Sequence, residues 1–332
     1  MIRINEIKLS LEEDESLLKD KAAKILKINQ KYINTLTIYK KSIDARKKEN
    51  IHFTYAVDLT IGLDEEQIVS KCKSNKVQLT KPYIYEIPEN KRSSKYRPII
   101  AGFGPAGMLA GLILAEAGLK PIILERGKDI DARQKDVNEF WTKRRLDEES
   151  NVQFGEGGAG TFSDGKLTTG IKSPFIRKVL DELYEAGAPE EILYSSKPHI
   201  GTDRLAVVVK NIRKKIEKLG GEVWLETKLE KLIVYNGFVQ GIQYTKNGKA
   251  SDMEADSVIM AIGHSARDTV EMLYNLGVEI IQKPFSVGAR IEHPQSLINK
   301  AQYGKFAGHE KLGAADYKLS CHGLHERGAY TF

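Results

Sequence analysis

The feature that most constrains the fold is a glycine-rich turn between an apolar strand and an apolar helix. The strand is predicted over residues 98–101 and the helix over residues 108–117, and the turn has the pattern Gly-x-Gly-x-x-Gly. In such a turn the first glycine allows a tight bend, the second lets backbone N–H groups approach a pyrophosphate, and the third lets the helix lie close to the strand. The helix N-terminus adds favourable charge for phosphate. The turn consists of Gly102, Phe103, Gly104, Pro105, Ala106 and Gly107.

A second predicted strand, residues 121–124, ends in Glu125, which follows Gly107 by 18 residues. A carboxylate at this position hydrogen-bonds the hydroxyls of a ribose and repels a 2′-phosphate, so NADP is not expected here. The alternative is a glycine-rich turn without a ligand, which leaves the acid-tipped second strand unexplained. The sequence therefore predicts that residues 98–127 bind a dinucleotide.

A second glycine-rich string, residues 155–160, has the same spacing in a different context. The residues that follow it do not favour a helix, and no acid-tipped strand comes next. Two interpretations stay open: a flexible loop, or a second backbone cradle packed over a bound cofactor. The cradle is favoured because five glycines in eleven residues otherwise cost much conformational entropy. Its predicted contacts are Gly157, Gly158, Gly160 and Thr161.

Length and composition narrow the class of protein. A chain of 332 residues with 41% hydrophobic residues predicts two domains and excludes a disordered chain. Its two cysteines exclude a disulfide scaffold and favour a reducing compartment. The N-terminal residues contain no stretch typical of a signal peptide, and the longest apolar run, residues 103–115, is too short to span a bilayer. These features predict a cytoplasmic protein that does not associate with membranes.

The first 88 residues have a different pattern from the rest. Strand-like and helix-like segments alternate in the order βαββαβ, which is typical of a ferredoxin-like domain. Residues 89–97 are polar without periodicity and are predicted to be a linker. The whole net charge of +6 lies in residues 1–97, which carry 20 Lys and Arg against 14 Asp and Glu. A nucleic-acid partner must therefore be considered for this part of the chain.

The downstream elements resemble those of flavoproteins. A predicted amphipathic helix over residues 205–219 is followed by Gly-Gly and a strand. Strands are then predicted over residues 231–235, 238–244 and 253–261, the last of which leads into Gly263. This layout resembles the FAD domains of the glutathione-reductase-like and hydroxybenzoate-hydroxylase-like families. The resemblance implies FAD as the cofactor, with Arg126 and Gly263 as further contacts.

Four strings resemble uncharacterised bacterial FAD-dependent dehydrogenases with an N-terminal α/β domain, within the NAD(P)/FAD-dependent oxidoreductases. The strings are residues 42–48, 154–166, 198–203 and 322–332. The resemblance implies redox chemistry on a small molecule but defines no substrate. Members of this group continue beyond the position of Phe332, so the chain is expected to be a C-terminally truncated member. The fold expected is α/β: a Rossmann-type FAD-binding domain with a parallel sheet and a β-meander (residues 98–264), preceded by a ferredoxin-like βαββαβ domain (residues 1–88) and followed by an incomplete second domain (residues 265–332).

Catalytic residues are only weakly indicated. No Cys-x-x-Cys lies near the glycine-rich strings, so a disulfide-reductase mechanism has no support. The Cys and His residues near position 322 are too few to predict a metal site. No second complete Rossmann unit is present, so an NAD(P)H donor would bind transiently or outside this chain. The candidates for proton transfer or substrate contact are Cys321, His322, His199 and Arg290.

A nucleic-acid-binding module is the alternative class, together with a flavoprotein that acts on RNA. Alternation along residues 52–59 places Phe53 and Tyr55 on the face that the helices should cover. The opposite face of this strand then lacks the aromatic surface on which bases stack. The basic residues near the turn at positions 46–48 are therefore expected to be solvated or to contact another domain.

Overall fold

A computed structural model describes residues 1–89, 94–163, 165–285, 287–289, 291–322 and 329–331. The chain forms two compact units. The first comprises Met1–Pro82, Tyr194–Ser196 and Pro284–Phe332, and the second comprises Tyr83–Leu193 and Lys197–Lys283. None of the helices in the described part of the chain has the length and apolar character needed to cross a membrane.

Secondary structure alternates along both units. The helices are α1 (Leu17–Leu26), α2 (Glu65–Cys72), α3 (Pro105–Glu116), α4 (Ile130–Lys143), α5 (Phe175–Glu185), α6 (Thr202–Lys218), α7 (Arg267–Asn275) and α8 (Gln295–Tyr303). The strands are β1 (Ile2–Ser10), β2 (Ile33–Asp44), β3 (His52–Ile61), β4 (Val77–Leu79), β5 (Ile99–Ala101), β6 (Ile122–Leu124), β7 (Glu222–Trp224), β8 (Thr227–Tyr235), β9 (Phe238–Lys246), β10 (Lys249–Glu254), β11 (Val258–Met260), β12 (Ser320–His322) and β13 (Ala329–Thr331).

The first unit is built on an antiparallel sheet in the order β2-β3-β1-β4. Alternation along β3 buries Phe53, Tyr55, Val57 and Leu59 in a core that also holds the apolar side of α1. The last strand, β4, is short and ends at Leu79. Residues 194–196 pair with the edge strand β2: Lys41 N donates to the carbonyl of Tyr194 over 2.7 Å.

The C-terminal residues pack with the N-terminal unit rather than forming a separate domain after residue 264. Tyr303, Leu312 and Ala315 are buried in the same core as the strands of the first unit. Lys311 Nζ donates to the carbonyl of Leu11 over 2.7 Å. Residues 265–283, by contrast, belong to the second unit. The units therefore divide at residue 284, because apolar side chains beyond it complete the core of the first unit.

The second unit is mixed α/β, with a four-stranded parallel sheet in the order β11-β5-β6-β7. Helices α3 and α6 contribute Leu112, Val208, Ile212 and Ile216 to its core. A three-stranded antiparallel sheet, β8-β9-β10, forms the meander. The predicted strand 253–261 is divided in two, because its first part pairs with β9 and its last part with β5.

The register of the parallel sheet places four strand ends together. The last residues of β11, β5, β6 and β7 are mutual neighbours: Met260 pairs with Ala101, Ala101 with Leu124, and Leu124 with Trp224. The turns that follow these strands therefore meet at one edge of the sheet. Ligands of open α/β sheets bind at this edge.

Candidate functional site

A cavity of about 450 Å³ lies at the carboxyl edge of the parallel sheet in the second unit. This volume is in the range of small-molecule sites, roughly 300–1,000 Å³. Of the twelve predicted cofactor contacts, three do not line the cavity: Gly107, Gly157 and Thr161. The nine that do are Gly102, Gly104, Pro105, Ala106, Glu125, Arg126, Gly158, Gly160 and Gly263.

Two of the three glycines in the first turn are required by the protein itself. Gly102 has φ +101°, and a Cβ there would lie 2.4 Å from the carbonyl oxygen of Ala261. A Cβ on Gly107 would lie 1.9 Å from the carbonyl oxygen of Gly102, so this helix residue has to be glycine for the helix to pack on the turn. The first and third glycines thus have the steric roles predicted from the motif.

Gly104 is different because the protein leaves room for a side chain there. Its backbone is extended, with φ −76° and ψ −175°, and a Cβ would make only an ordinary contact, 3.8 Å from Cα of Gly158. Gly104 precedes α3, whose first residue is Pro105, so the helix N-terminus opens on the cavity. The packing of the chain does not explain a glycine at position 104, whereas close approach of a phosphate at a helix N-terminus does.

Glu125 is 4% exposed, and its carboxylate accepts three backbone N–H groups. Oε1 accepts from Gly127 over 2.9 Å and from Gly155 over 2.8 Å, and Oε2 accepts from Phe103 over 2.8 Å. A carboxylate has about four lone-pair positions, so one remains on Oε2. Glu125 therefore joins three loops and keeps one acceptor position for a hydroxyl group. The sequence anticipated a contact to ribose but not these backbone contacts.

The second glycine-rich string packs directly on the first. Gly157 N donates to the carbonyl of Phe103 over 2.9 Å. A Cβ on Gly158, which has φ +66°, would lie 2.8 Å from Cα of Gly104. Gly157 and Thr161 face each other inside the second loop, which explains why they do not line the cavity. The two glycine-rich loops thus form adjoining parts of the cavity wall.

A buried arginine that the sequence did not indicate holds this second loop. Arg133 on α4 is fully buried. It donates to four backbone carbonyls of the loop, over 2.7 to 3.3 Å. Burial lowers the pKa of Arg133 to about 10, against the raising effect of Glu125 and Glu156, so the guanidinium stays charged at neutral pH. The acceptors are the carbonyls of Asn151, Val152, Gly155 and Glu156.

A second buried charge ties the same loop to two helices. Glu156 is fully buried, and its Oε2 accepts from the backbone N–H of Ile130 at the start of α4 over 2.9 Å. Its Oε1 accepts from Nε of Arg213 on α6 over 2.7 Å. A buried carboxylate is stable only when paired in this way. The loop is therefore held to α4 and α6 by specific polar contacts.

The wall next to Glu125 carries a cluster of four charged side chains. Arg126 pairs with Glu149 over 2.9 Å and with Asp268, and Lys228 pairs with Asp268 over 2.9 Å. Arg126 and Lys228 line the cavity. Partial burial raises the pKa of Asp268, but hydrogen bonds from Arg126 and Lys228 outweigh it and hold this pKa well below its usual range.

Acid is expected to destabilise the second unit through such paired carboxylates. Burial raises the pKa of Glu182, but hydrogen bonds from Lys178 and Lys215 leave it lowered, as is that of Asp268. A carboxyl whose folded pKa is lowered contributes stability above its ordinary value, about 4, and loses that contribution as the pH falls further. Urea unfolding followed by tryptophan fluorescence should show this loss below about pH 4. In Asp268→Asn the free energy of unfolding should fall less steeply with decreasing pH than in the parent. If it falls equally steeply in both proteins, the lowered pKa of Asp268 does not contribute to this acid sensitivity.

Of the four predicted catalytic candidates, His199 is the one whose side chain the structure describes, and it does not line this cavity. His199 is exposed, and its backbone pairs with Lys166. Cys321 and His322 lie on β12, of which only the backbone is described, and Arg290 lies outside the described residues. Among the described residues no group of three or more His, Cys, Asp and Glu side chains is placed to hold a metal ion. The polar side chains that do line the cavity and that the sequence did not indicate include Gln153, His264 and Ser265.

The sheet of the first unit was the candidate surface for nucleic acid. On its face opposite the core, Arg3 donates two hydrogen bonds to Asp58, over 2.7 and 2.8 Å. The same guanidinium lies 3.2 Å from the ring centre of Tyr39, which is partly exposed. A base could stack on this side of Tyr39 only by displacing Arg3, so the sheet offers a poor stacking surface.

Mixed-sequence RNA and DNA are therefore expected to bind the chain only weakly. The basic N-terminal residues supply an electrostatic attraction that decreases as salt competes for the phosphates. Fluorescence anisotropy at low and physiological salt measures this. A Kd at or below micromolar that persists at physiological salt would show that the first unit binds nucleic acid after all.

Comparison with known proteins gives partial matches at both ends of the chain. Residues 284–332 match the family described as "FAD-dependent protein, C-terminal domain-like". Residues 1–60 match "Domain of unknown function (DUF8436)". An uncharacterized protein of Clostridium beijerinckii is 48% identical over 333 residues, which cover 100% of this chain and 62% of the relative. The chain thus spans less than two thirds of that relative's length.

Two solved structures each match about half of this chain. THI4 of Thermovibrio ammonificans is 19% identical, with a TM-score of 0.36 over 55% of this chain and 63% of that one. The glycerol-3-phosphate dehydrogenase of Bacillus halodurans, solved in complex with FAD, is 14% identical, with a TM-score of 0.34 over 53% of this chain and 35% of that one.

Proposed function

We propose that the second unit binds FAD and that the protein is an FAD-dependent oxidoreductase. The observation that carries this proposal is the position of Gly104, which has room for a side chain in the protein alone and lies beside a helix N-terminus and a second glycine-rich loop. Glu125, with one free acceptor position, lies in the same cavity. The family description matched by residues 284–332 independently supports FAD as the cofactor.

Different residues of the cavity would bind different parts of FAD. The Gly102–Gly107 turn and the α3 N-terminus would hold the pyrophosphate, and Oε2 of Glu125 would accept a ribose hydroxyl. The loop that carries Gly158 and Gly160 would cover the phosphates and exclude water. When bound, FAD supplies the redox chemistry, while the protein supplies position and electrostatics.

Several finer assignments belong to the same proposal. The sheet order β2-β3-β1-β4 supports a ferredoxin-like fold for the first unit. The match of residues 284–332 to an FAD-dependent C-terminal domain supports membership of the uncharacterised FAD-dependent dehydrogenases. A cytoplasmic location, a small-molecule substrate and a transient NAD(P)H donor are proposed with it.

Titration of the purified chain with FAD and with ADP-ribose tests the proposal. Both ligands carry the adenosine ribose and pyrophosphate that the cavity is proposed to hold, so both should bind, and FAD should show its visible absorption bands in the protein fraction after gel filtration. AMP, which lacks the pyrophosphate, is the matched control and should bind more weakly. Absence of binding by both FAD and ADP-ribose would refute the proposal.

A further inference from the structure

We propose that the charged cluster of Arg126, Lys228, Glu149 and Asp268 determines which adenosine ribose the cavity accepts. By neutralising two cations beside Glu125, the cluster selects an unphosphorylated 2′-hydroxyl and rejects a 2′-phosphate. The inference rests on the proposed function, since it concerns the ribose end of the same cavity.

The two cations lie where a 2′-phosphate would be recognised. Arg126 directly follows Glu125, and both line the cavity together with Lys228. In dinucleotide sites an acidic residue at this strand end binds the ribose hydroxyls, while a nearby arginine accommodates a 2′-phosphate. This chain has both kinds of residue side by side. The charge left on Arg126 and Lys228 therefore decides which ligand is favoured.

The carboxylates of the cluster cancel that charge. Asp268 contacts both Arg126 and Lys228, and Glu149 lies 2.9 Å from Nε of Arg126 and 3.5 Å from Nζ of Lys228. Glu230 also lies 3.9 Å from Nζ of Lys228, so three carboxylates surround the two cations. The Arg126 guanidinium also lies 4.5 Å from the ring centre of Phe154, which further fixes its position. The carboxylates thus offset the charge of both cations, and Glu125 beside them repels a 2′-phosphate.

Asp268 contacts both cations, and its charge can be removed with little change of shape. It belongs to the first turn of α7, where its Oδ1 accepts from the backbone N–H of Thr269 over 2.8 Å. Asparagine keeps an acceptor oxygen for this N–H and removes one negative charge. Asp252→Asn on β10 is the matched control, since Asp252 is exposed, bonds to Gln243 and does not line the cavity.

The experiment compares the binding of ADP-ribose and 2′-phospho-ADP-ribose by calorimetry in the parent, Asp268→Asn and Asp252→Asn. The parent and the control should prefer ADP-ribose. Asp268→Asn should shift the ratio of the two Kd values about tenfold towards the 2′-phosphorylated ligand, because it removes the carboxylate that contacts both Arg126 and Lys228. The shift should become smaller at high salt. Glu149→Gln removes the partly exposed carboxylate of the cluster and should shift the ratio of the two Kd values in the same direction. This variant replaces Asp268→Asn in the experiment if Asp268→Asn does not fold.

The outcomes separate this inference from the proposed function. If ADP-ribose binds and both variants keep the parent's ratio, the cluster does not set the selectivity and only this inference is overturned. If neither ligand binds to any of the proteins, the dinucleotide site itself is refuted and the inference with it.

Discussion

Gly104→Glu is expected to abolish FAD binding while the chain still folds. The backbone at position 104 is one that any residue adopts, and a Cβ there meets only Cα of Gly158 at 3.8 Å. A glutamate would fill the space beside the α3 N-terminus and add a negative charge where the pyrophosphate is proposed to lie. We expect affinity for FAD to fall by about 100-fold or more, as measured by flavin stoichiometry and calorimetry.

Two further variants separate the ligand effect from a folding effect. Gly104→Ala should leave the melting temperature unchanged and weaken FAD binding moderately, since the methyl group fits the protein but narrows the approach to the backbone. Gly107→Ala should destabilise the unit, because its Cβ would lie 1.9 Å from the carbonyl oxygen of Gly102. Flavin stoichiometry equal to the parent's in Gly104→Glu would mean that this turn does not bind phosphate.

The sequence predicted the parts of the site that local spacing determines. The strand, turn and helix around Gly102 and Gly107 follow from the steric needs of a βα turn, so a short string of residues was sufficient to locate them. The helix predicted over residues 205–219 corresponds to α6. It could also be located from local sequence, because its apolar positions repeat with helical periodicity. The second glycine-rich loop packs directly on the first, and its role as a cradle over a bound cofactor stays a prediction.

The contacts that depend on distant partners were not predictable. Asp268 meets Arg126 across 142 positions, and Glu156 meets Arg213 across 57. Nothing in the local pattern marks these charges as paired rather than solvated, because pairing is decided by how the helices dock. The packing of Tyr303 and Leu312 with the N-terminal strands has the same origin. Composition and periodicity describe the burial of single elements but not the partners that they meet.

Replacing Arg133 tests how strongly this residue stabilises the second glycine-rich loop. Arg133→Met should lower the free energy of unfolding of the second unit by about 4 kcal/mol. Methionine retains much of the apolar stem but removes a donor from four carbonyl groups of the loop, two of them in buried hydrogen bonds. The carbonyls of Gly155 and Glu156 keep a second donor, Gly158 N and Thr161 Oγ1. Urea unfolding followed by tryptophan fluorescence reports on this unit, because both tryptophans of the chain, Trp141 and Trp224, belong to it.

Arg145→Met is the matched control, since Arg145 is highly exposed and its loss should change the free energy of unfolding by less than about 0.5 kcal/mol. Arg133→Lys should lie between the two, because an ammonium keeps the charge but cannot reach all four carbonyls in the planar geometry of a guanidinium. Gly155 gives its N–H to Glu125 and its carbonyl to Arg133, so the residue proposed to bind ribose depends on the same loop. FAD affinity should therefore fall in the same order as stability, whereas a stable Arg133→Met with unchanged FAD affinity would show that the loop holds its position without this arginine.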